Sequence, residues 1–490
     1  MEFNIQFLDS LKSFFKQEFG AYTKVSLLPP AGSKRRYVRF IKEDGSKVLG
    51  VYNAHRSENN TYFYFTQIFE RHDLNVPNIL WTSEDKCYYF IEDLGEHSLF
   101  DKIIEEGYTA KVEEWMEESL KQLVHFQFKA GADIDYDMCY GAESFGQNQI
   151  YSDLLYFKYY FLDMLPVSYN TEDLLSELQD WSEDLASVRP MAFMYRDFQS
   201  RNIIINEDNK LGFIDFQGGM QGFPGYDLAS FLWQARARVP QRLKRKYLNF
   251  YYDYVKENAP GFSNLNEESF KRDFMKFVLL RILQTLGAYG YLGLIQKKPH
   301  FLESIAPALE QLQEYLDEYS TYPQFNELRT TLEKIVHPNI IAQFKKPTYP
   351  QEHVDKLKVN LFSFSYKKGL PQENSKHGGG FVFDCRGILN PGREEEYKQK
   401  TGKEKDVQAY LEGKTEMLQF LEYTKQAVDV NMNNYLKRGF DSLSIGFGCT
   451  GGQHRSVYAA EKMKEHLEKT YGVEVTLTHL EQEKHDYSRR

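Results

Sequence analysis

The chain has 490 residues, 42% of them hydrophobic and 27% charged, a globular composition in a chain too long for one ordinary domain. Four cysteines, at 87, 139, 385 and 449, exclude a disulfide framework or a CxxC metal pattern, and no run of 18 apolar residues offers a membrane span, so a cytoplasmic protein with no membrane partner is expected. The net charge of −10 is uneven: from Lys356 onward 22 basic residues face 19 acidic ones, leaving −13 for the rest, and so small a basic excess is no nucleic-acid footprint by itself.

Met1 to Gly20 sets Phe7, Leu8, Leu11, Phe14 and Phe15 at helical spacing and lacks the apolar core and cleavage site of a signal peptide. Short β-type runs over Tyr37 to Ile41, Lys47 to Tyr52 and Tyr88 to Glu92 bracket a helical Glu58 to His72. Helical patterning then runs from about Tyr108 to Leu185. A strand pair follows, Ile203 to Asn206 and Leu211 to Ile214, turned at Asp208-Asn209 because Asn tolerates a positive φ. Helices resume over Phe270 to Ile295 and Leu302 to Tyr319. Residues 337–355, with Pro338, Pro347 and Pro350, read as a linker. Beyond it, strands over Lys358 to Tyr366, Gly380 to Asp384 and Ser442 to Gly448 alternate with helices over Val407 to Leu436 and Val457 to Tyr471. That alternation predicts a separate α/β domain.

The densest chemical signal is Tyr195-Arg196-Asp197-Phe198-Gln199-Ser200-Arg201-Asn202, followed by Phe213-Ile214-Asp215-Phe216-Gln217. Phosphoryl transfer needs a carboxylate to orient the attacking hydroxyl and two ligands for Mg²⁺. Asp197 and Asn202 have the D-x₄-N spacing of a kinase catalytic loop, and Asp215 follows a short hairpin. The spacing assigns Asp197 as base and Asn202 and Asp215 as Mg²⁺ ligands, with ATP as the other cofactor. The hairpin would bring all three to one edge.

The string YRDFQSRNIII, with IDFQGG and GYDLAS behind it, resembles the aminoglycoside and choline kinases, and most closely sugar kinases acting on N-acetylmuramic acid and N-acetylglucosamine. The resemblance covers about residues 1–336. It implies an α+β protein-kinase-like fold of two lobes, about 1–95 and 96–336, and a small-molecule sugar substrate. It also implies that Arg196 belongs to the catalytic loop and that Asp227 braces it. Gly32-Ser33 would turn backbone N–H groups over the ATP phosphates, and Glu92 to Leu94 would be the hinge meeting adenine. Tyr195 stands where relatives have His. The strand Val48 to Tyr52 has no phosphate-binding lysine, which leaves Arg35 or Arg36 to substitute. On the substrate side the family pattern points to Arg281 and Gln284, one turn apart and followed by Gly287, and to Asp153 and Phe157.

Downstream, Ser442 to Gly448 runs into Cys449-Thr450-Gly451-Gly452-Gln453-His454-Arg455-Ser456 and then a helix. Glycines that turn amides inward, a helix start and an arginine fork make an anion cradle. The C-x₅-R spacing of Cys449 and Arg455 also fits a cysteine-based phosphatase, with Asp384 the candidate acid. The loop GCTGGQHRSV, with Phe383-Asp384-Cys385-Arg386-Gly387 upstream, resembles the C-terminal domain of RapZ-type RNase adapter proteins over residues 356–490. That resemblance implies binding of a phosphorylated amino sugar such as glucosamine-6-phosphate. The ligand set would be Cys449, Thr450, Gly451, Gly452, Gln453, His454 and Arg455, adjoined by Asp384 and Arg386. It also raises RNA as a partner, although no GxxxxGK[ST] loop is present and a kinase-like domain replaces the ATPase domain of those proteins. The expectation is a sugar kinase modulated by its own sensing domain. A pseudokinase adapter and a phosphatase are the alternative readings.

Overall fold

The computed structural model describes residues 3–28, 35–259, 261–319, 322–345, 349–371 and 380–482, so Gly32 and Ser33 lie outside the described residues. The chain divides after Lys345 into two compact units.

The first unit opens with α1 (Phe3–Phe19), β1 (Lys24–Leu27), β2 (Arg36–Ile41), β3 (Lys47–Tyr52), α2 (Arg56–Arg71), β4 (Ile79–Thr82) and β5 (Tyr88–Glu92). The strands form an antiparallel sheet in the order β1-β2-β3-β5-β4. Side chains alternate across a strand, so its residues divide between two faces. Val38, Phe40, Val48 and Phe90 form one face and cluster with Leu11 and Phe15 of α1, Phe15 stacking on Phe40 at 4.3 Å. Tyr37, Val51, Tyr89 and Ile91 form the other, packed with Tyr62, Phe65 and Phe69 of α2. The strands β1 and β4 were not legible in the apolar pattern.

The larger lobe holds β6 (His97–Ser98), α3 (Leu99–Glu106), α4 (Ala110–Val124), α5 (Gln147–Tyr160), α6 (Thr171–Ser187), β7 (Ala192–Met194), β8 (Ile203–Ile205), β9 (Leu211–Phe213) and β10 (Met220–Gly222). It continues with α7 (Gly225–Leu232), α8 (Gln241–Asn258), α9 (Glu267–Tyr289), α10 (Pro299–Glu318), α11 (Asn326–Ile335) and α12 (Pro338–Phe344). The expected hairpin is β8 paired with β9, Ile203 opposite Phe213, and Asn209 in its turn has φ 61°. The helical stretch Glu267–Ile295 is long and apolar enough to cross a membrane by composition, which the search for unbroken apolar runs missed. In this fold its Phe274, Phe277, Leu280 and Leu283 are core residues, and α9 packs on α5, α7 and α10.

The second unit contains α13 (Gln351–Lys356), β11 (Lys358–Ser365), β12 (Phe381–Asp384), α14 (Lys405–Lys414), α15 (Met417–Arg438), β13 (Ser442–Cys449), α16 (Arg455–Tyr471) and β14 (Glu474–His479). Its sheet is parallel throughout, in the order β12-β13-β11-β14, with α16 against β11, β13 and β14. All four carboxyl ends therefore lie along one edge, where ligands of open α/β sheets bind.

The stretch expected to be a linker, within which the two units divide, carries short helices: Pro338 opens α12 and Pro350 caps α13, because proline fits the start of a helix, whose first N–H groups have no partner anyway. One expectation is corrected. The single helix expected over Val407 to Leu436 is broken between α14 and α15, where the Thr415 hydroxyl donates to Leu411 O and accepts from Met417 N.

Candidate functional site

The segment joining β7 to β8 presents Tyr195 to Asn202, and a buried carboxylate sets its shape. Asp227, in the first turn of α7, accepts from Tyr195 N at 2.7 Å, Arg196 N at 2.8 Å and Gln127 Nε2 at 2.9 Å. Burial pushes its carboxyl up to about 7, against those three donors, which favour the charged form. Tyr195 donates its hydroxyl to Ile214 O at 2.7 Å, tying the loop to the residue before Asp215. Arg196 has φ 74° and Asp215 φ 70°, a region costly for side-chain-bearing residues unless neighbours hold them there.

These restraints bring the three predicted residues together. Asn202 Nδ2 donates to Asp197 O at 2.9 Å and to Asp215 Oδ2 at 3.4 Å, leaving its amide oxygen as an available ligand. Burial works to raise the Asp197 pKa, but Arg281, Arg201 and Arg196 together hold it below the usual carboxylate range. Asp215 moves the other way: burial and the negative charge of Asp197 raise its pKa, opposed by the Gln217 amide at 2.8 Å and by Arg35. An under-compensated carboxylate beside an amide oxygen suits a hard divalent cation, and Mg²⁺ takes few protein ligands besides phosphate and water. Asn202 and Asp215 fit that ion.

Of the residues expected against substrate, Arg281 and Asp153 are hydrogen-bonded to the catalytic loop, and Gln284 to Arg281. Arg281, 4% exposed, donates to Asp197 Oδ1 at 3.0 Å, to Tyr226 OH at 3.1 Å and to Gln284 Oε1 at 2.7 Å. Asp153 holds Arg196 Nη2 through both oxygens, at 3.0 and 3.1 Å. Gly287 has a packing role, since a Cβ there would lie 2.9 Å from the backbone of Phe157 on α5. On the nucleotide side, Arg35 is buried and pairs with Glu58 of α2 at 3.1 Å. Arg36 falls on the opposite strand face from Tyr37, and its Nη1 donates to Arg35 O. The Glu92 carboxylate accepts from Asn78 Nδ2 at 2.7 Å, and Leu94 lies against Gly212. Glu58, Gln127, Gln217 and Tyr226 were missed by sequence reasoning, since each acts through a partner distant in the chain or through a commonplace residue type.

In the second unit, the loop from the end of β13 to the start of α16 has Thr450 and Gly451 exposed and Gly452 at φ +67°. Gly452 N donates to Cys449 Sγ at 3.1 Å, and the Ser456 hydroxyl lies 3.2 Å from that sulfur. Arg455 is buried, and its Nη1 donates to Arg386 O at 3.0 Å and Ile388 O at 2.6 Å. Two members of the expected ligand set turn away from the cradle. Gln453 Nε2 donates to Lys398 O and Lys400 O, and the His454 ring contacts Tyr397 O at 2.8 Å, so both clamp the segment 397–400. Arg386 folds onto Asp384 at 2.6 Å and onto the Tyr366 ring at 3.9 Å. Lys368, paired with Glu481, was overlooked; Glu481 in turn reaches Gly452.

A phosphatase needs an acid that is protonated when the leaving group departs. The hydrogen bond from Arg386 holds Asp384 below the usual carboxylate range, so it is poorly placed as that acid; of the Arg455 guanidinium, Nη1 donates to the two backbone carbonyls and Nη2 to Thr450 Oγ1 at 3.4 Å. The geometry opposes that alternative.

Residues 27–258 match the model of the phosphotransferase enzyme family, and residues 357–483 match that of the RapZ C-terminal domain. Curated relatives include a nucleotide-binding protein of Xylella fastidiosa strain 9a5c, 36% identical over 131 residues, which are 27% of this chain and 43% of that protein. A nucleotide-binding protein of Acetivibrio thermocellus is 42% identical over 113 residues, 23% of this chain and 37% of that one. The chain thus spans less than half the length of these relatives. Among solved structures, the choline kinase LicA from Streptococcus pneumoniae aligns with a TM-score of 0.45 at 11% identity, over 63% of this chain and 100% of that one. The Plasmodium vivax ethanolamine kinase aligns with a TM-score of 0.42 at 13% identity, over 63% and 84%.

Proposed function

We propose that this chain, which joins a phosphotransferase-family domain to a RapZ C-terminal domain, is a small-molecule kinase. It moves the γ-phosphoryl group of ATP to a hydroxyl of an amino sugar, and its second domain binds a phosphorylated amino sugar such as glucosamine-6-phosphate. The observation that carries the first half is the convergence of Asp197, Asn202 and Asp215 on one edge, held by Asp227 and Tyr195.

Asp197, kept ionised by Arg281, accepts the hydrogen bond of the substrate hydroxyl and takes its proton as the oxygen attacks phosphorus. Arg196, clamped by Asp153, keeps the loop that carries Asp197 in its left-handed turn. Asn202 and Asp215 would hold Mg²⁺, which would supply charge neutralisation to the phosphates. The likeness of the C-terminal loop to domains that sense glucosamine-6-phosphate makes an amino sugar the first acceptor to test. For that second site, support comes from the exposed Thr450-Gly451 backbone at the carboxyl edge of a parallel sheet, beside Arg386 and Lys368.

The test is ATP turnover by the full chain against amino sugars, aminoglycosides and choline. Turnover with an amino sugar that Asp197→Ala abolishes is the expected result. No turnover with any acceptor would replace this reading with that of a catalytically silent adapter.

A further inference from the structure

In kinases the nucleotide's phosphates meet a lysine on the third strand that pairs with a glutamate of the following helix. Here the lysine of β3, Lys47, stands at the strand's start and pairs with Glu96, not with a glutamate of α2. Val51 pairs with Tyr37 on one side and Tyr89 on the other, and it shares their face, toward α2. A lysine replacing Val51 would point there. Arg35, two positions before Tyr37, belongs to the same face of the neighbouring strand. Its guanidinium is buried, lies 3.1 Å from Glu58 in the first turn of α2 and sits 5.5 Å from the Tyr62 ring, one helical turn on. Glu58 is oriented in turn by Asn53 Nδ2 at 3.0 Å.

The same cluster reaches the metal-binding carboxylate. Tyr62 stacks on Phe216, the residue after Asp215, with ring centroids 5.1 Å apart and planes 11° from parallel. One buried cation is therefore paired with the helix that must be in place, and its neighbour Tyr62 stacks on the residue that follows the carboxylate that would hold the ion. A guanidinium carries five N–H donors in a planar fork, so it can keep Glu58 and still face phosphate oxygens.

Resting on the kinase reading above, we propose that Arg35, the residue just before β2, paired with Glu58, is the phosphate-binding cation of this site, displaced by one strand from the usual lysine. Arg36, on the other face, has no part in it.

The experiment is titration of the full-length protein with Mg·ATP and, separately, with adenosine. Arg35→Met is expected to weaken Mg·ATP binding roughly 10- to 100-fold, the loss of one or two charge-assisted bonds, and to leave adenosine binding unchanged. Arg35→Lys recovers most of the loss, and so does adding Val51→Lys to Arg35→Met. Unchanged Mg·ATP affinity in Arg35→Met overturns the proposal. An equal fall in adenosine affinity overturns it too, since a purely structural arginine would behave that way. If the unaltered protein binds adenosine and ATP equally well, Arg35 does not read phosphate. If it binds neither, the kinase reading itself fails.

Discussion

Arg281 Nη2 lies 3.0 Å from Oδ1 of Asp197, so a buried guanidinium on α9 holds the carboxylate proposed as the base. Arg281 is itself fixed by Tyr226 and Gln284, an arrangement that suits a positioning residue for Asp197.

Removing that guanidinium should be visible in the pH profile. The base must be ionised, so activity falls as pH drops through its pKa. Arg281 is the foremost of the arginines that depress that pKa, so without it the pKa rises. In Arg281→Met the acid limb of kcat should move to higher pH, with a larger activity deficit at pH 6 than at pH 8. A profile lowered uniformly would show that Arg281 acts only through structure.

Asp227→Asn should cost stability as well as turnover. An amide cannot accept from Tyr195 N, Arg196 N and Gln127 together without turning its own N–H₂ toward a donor. The loss of satisfied buried donors is worth roughly 1–3 kcal/mol each, which denaturant titration of the first unit would read. Turnover should fall with it, because the left-handed Arg196 loses its restraint.

Arg386 and Arg455 should separate binding from folding in the second domain. Arg386 is exposed and bound only to its neighbours Asp384 and Tyr366, so Arg386→Ala should weaken glucosamine-6-phosphate binding with little change in melting temperature. Arg455→Ala strands the carbonyls of Arg386 and Ile388, and should destabilise the domain by about 1–3 kcal/mol in addition to any loss of ligand.

Gly402→Ala should be among the most damaging small changes in that domain. A Cβ there would stand 2.2 Å from His454 O and 2.6 Å from Tyr458 N, at the start of α16. Overpacking against backbone typically costs about 1–3 kcal/mol, read as a lower melting temperature, while Gly413→Ala, with open space around it, should melt normally.

Much of the kinase-like site was legible because its code is local. The D-x₄-N spacing and the hairpin from Ile203 to Phe213 are short-range features, and a two-strand turn brings their ends together whatever surrounds them. The loop from Cys449 to Arg455 was legible for the same reason, as a strand end, a glycine turn and a helix start in sequence. The limits were equally physical. His454 and Gln453 read as ligands until the segment 397–400 claimed them, and β14, a short, half-exposed strand at the sheet edge, gave too little apolar signal.

By itself the sequence determined which candidate groups, Asp197, Asn202 and Asp215, would converge, since residue type and spacing within some 20 positions specify which atoms can reach one another. Only the tertiary structure decided which cation serves which carboxylate. Arg281 meets Asp197 across 84 residues, and Arg196 meets Asp153 across 43. Pairings of that kind are set by how sheet faces and helices pack, and packing depends on the whole core, not on any local pattern.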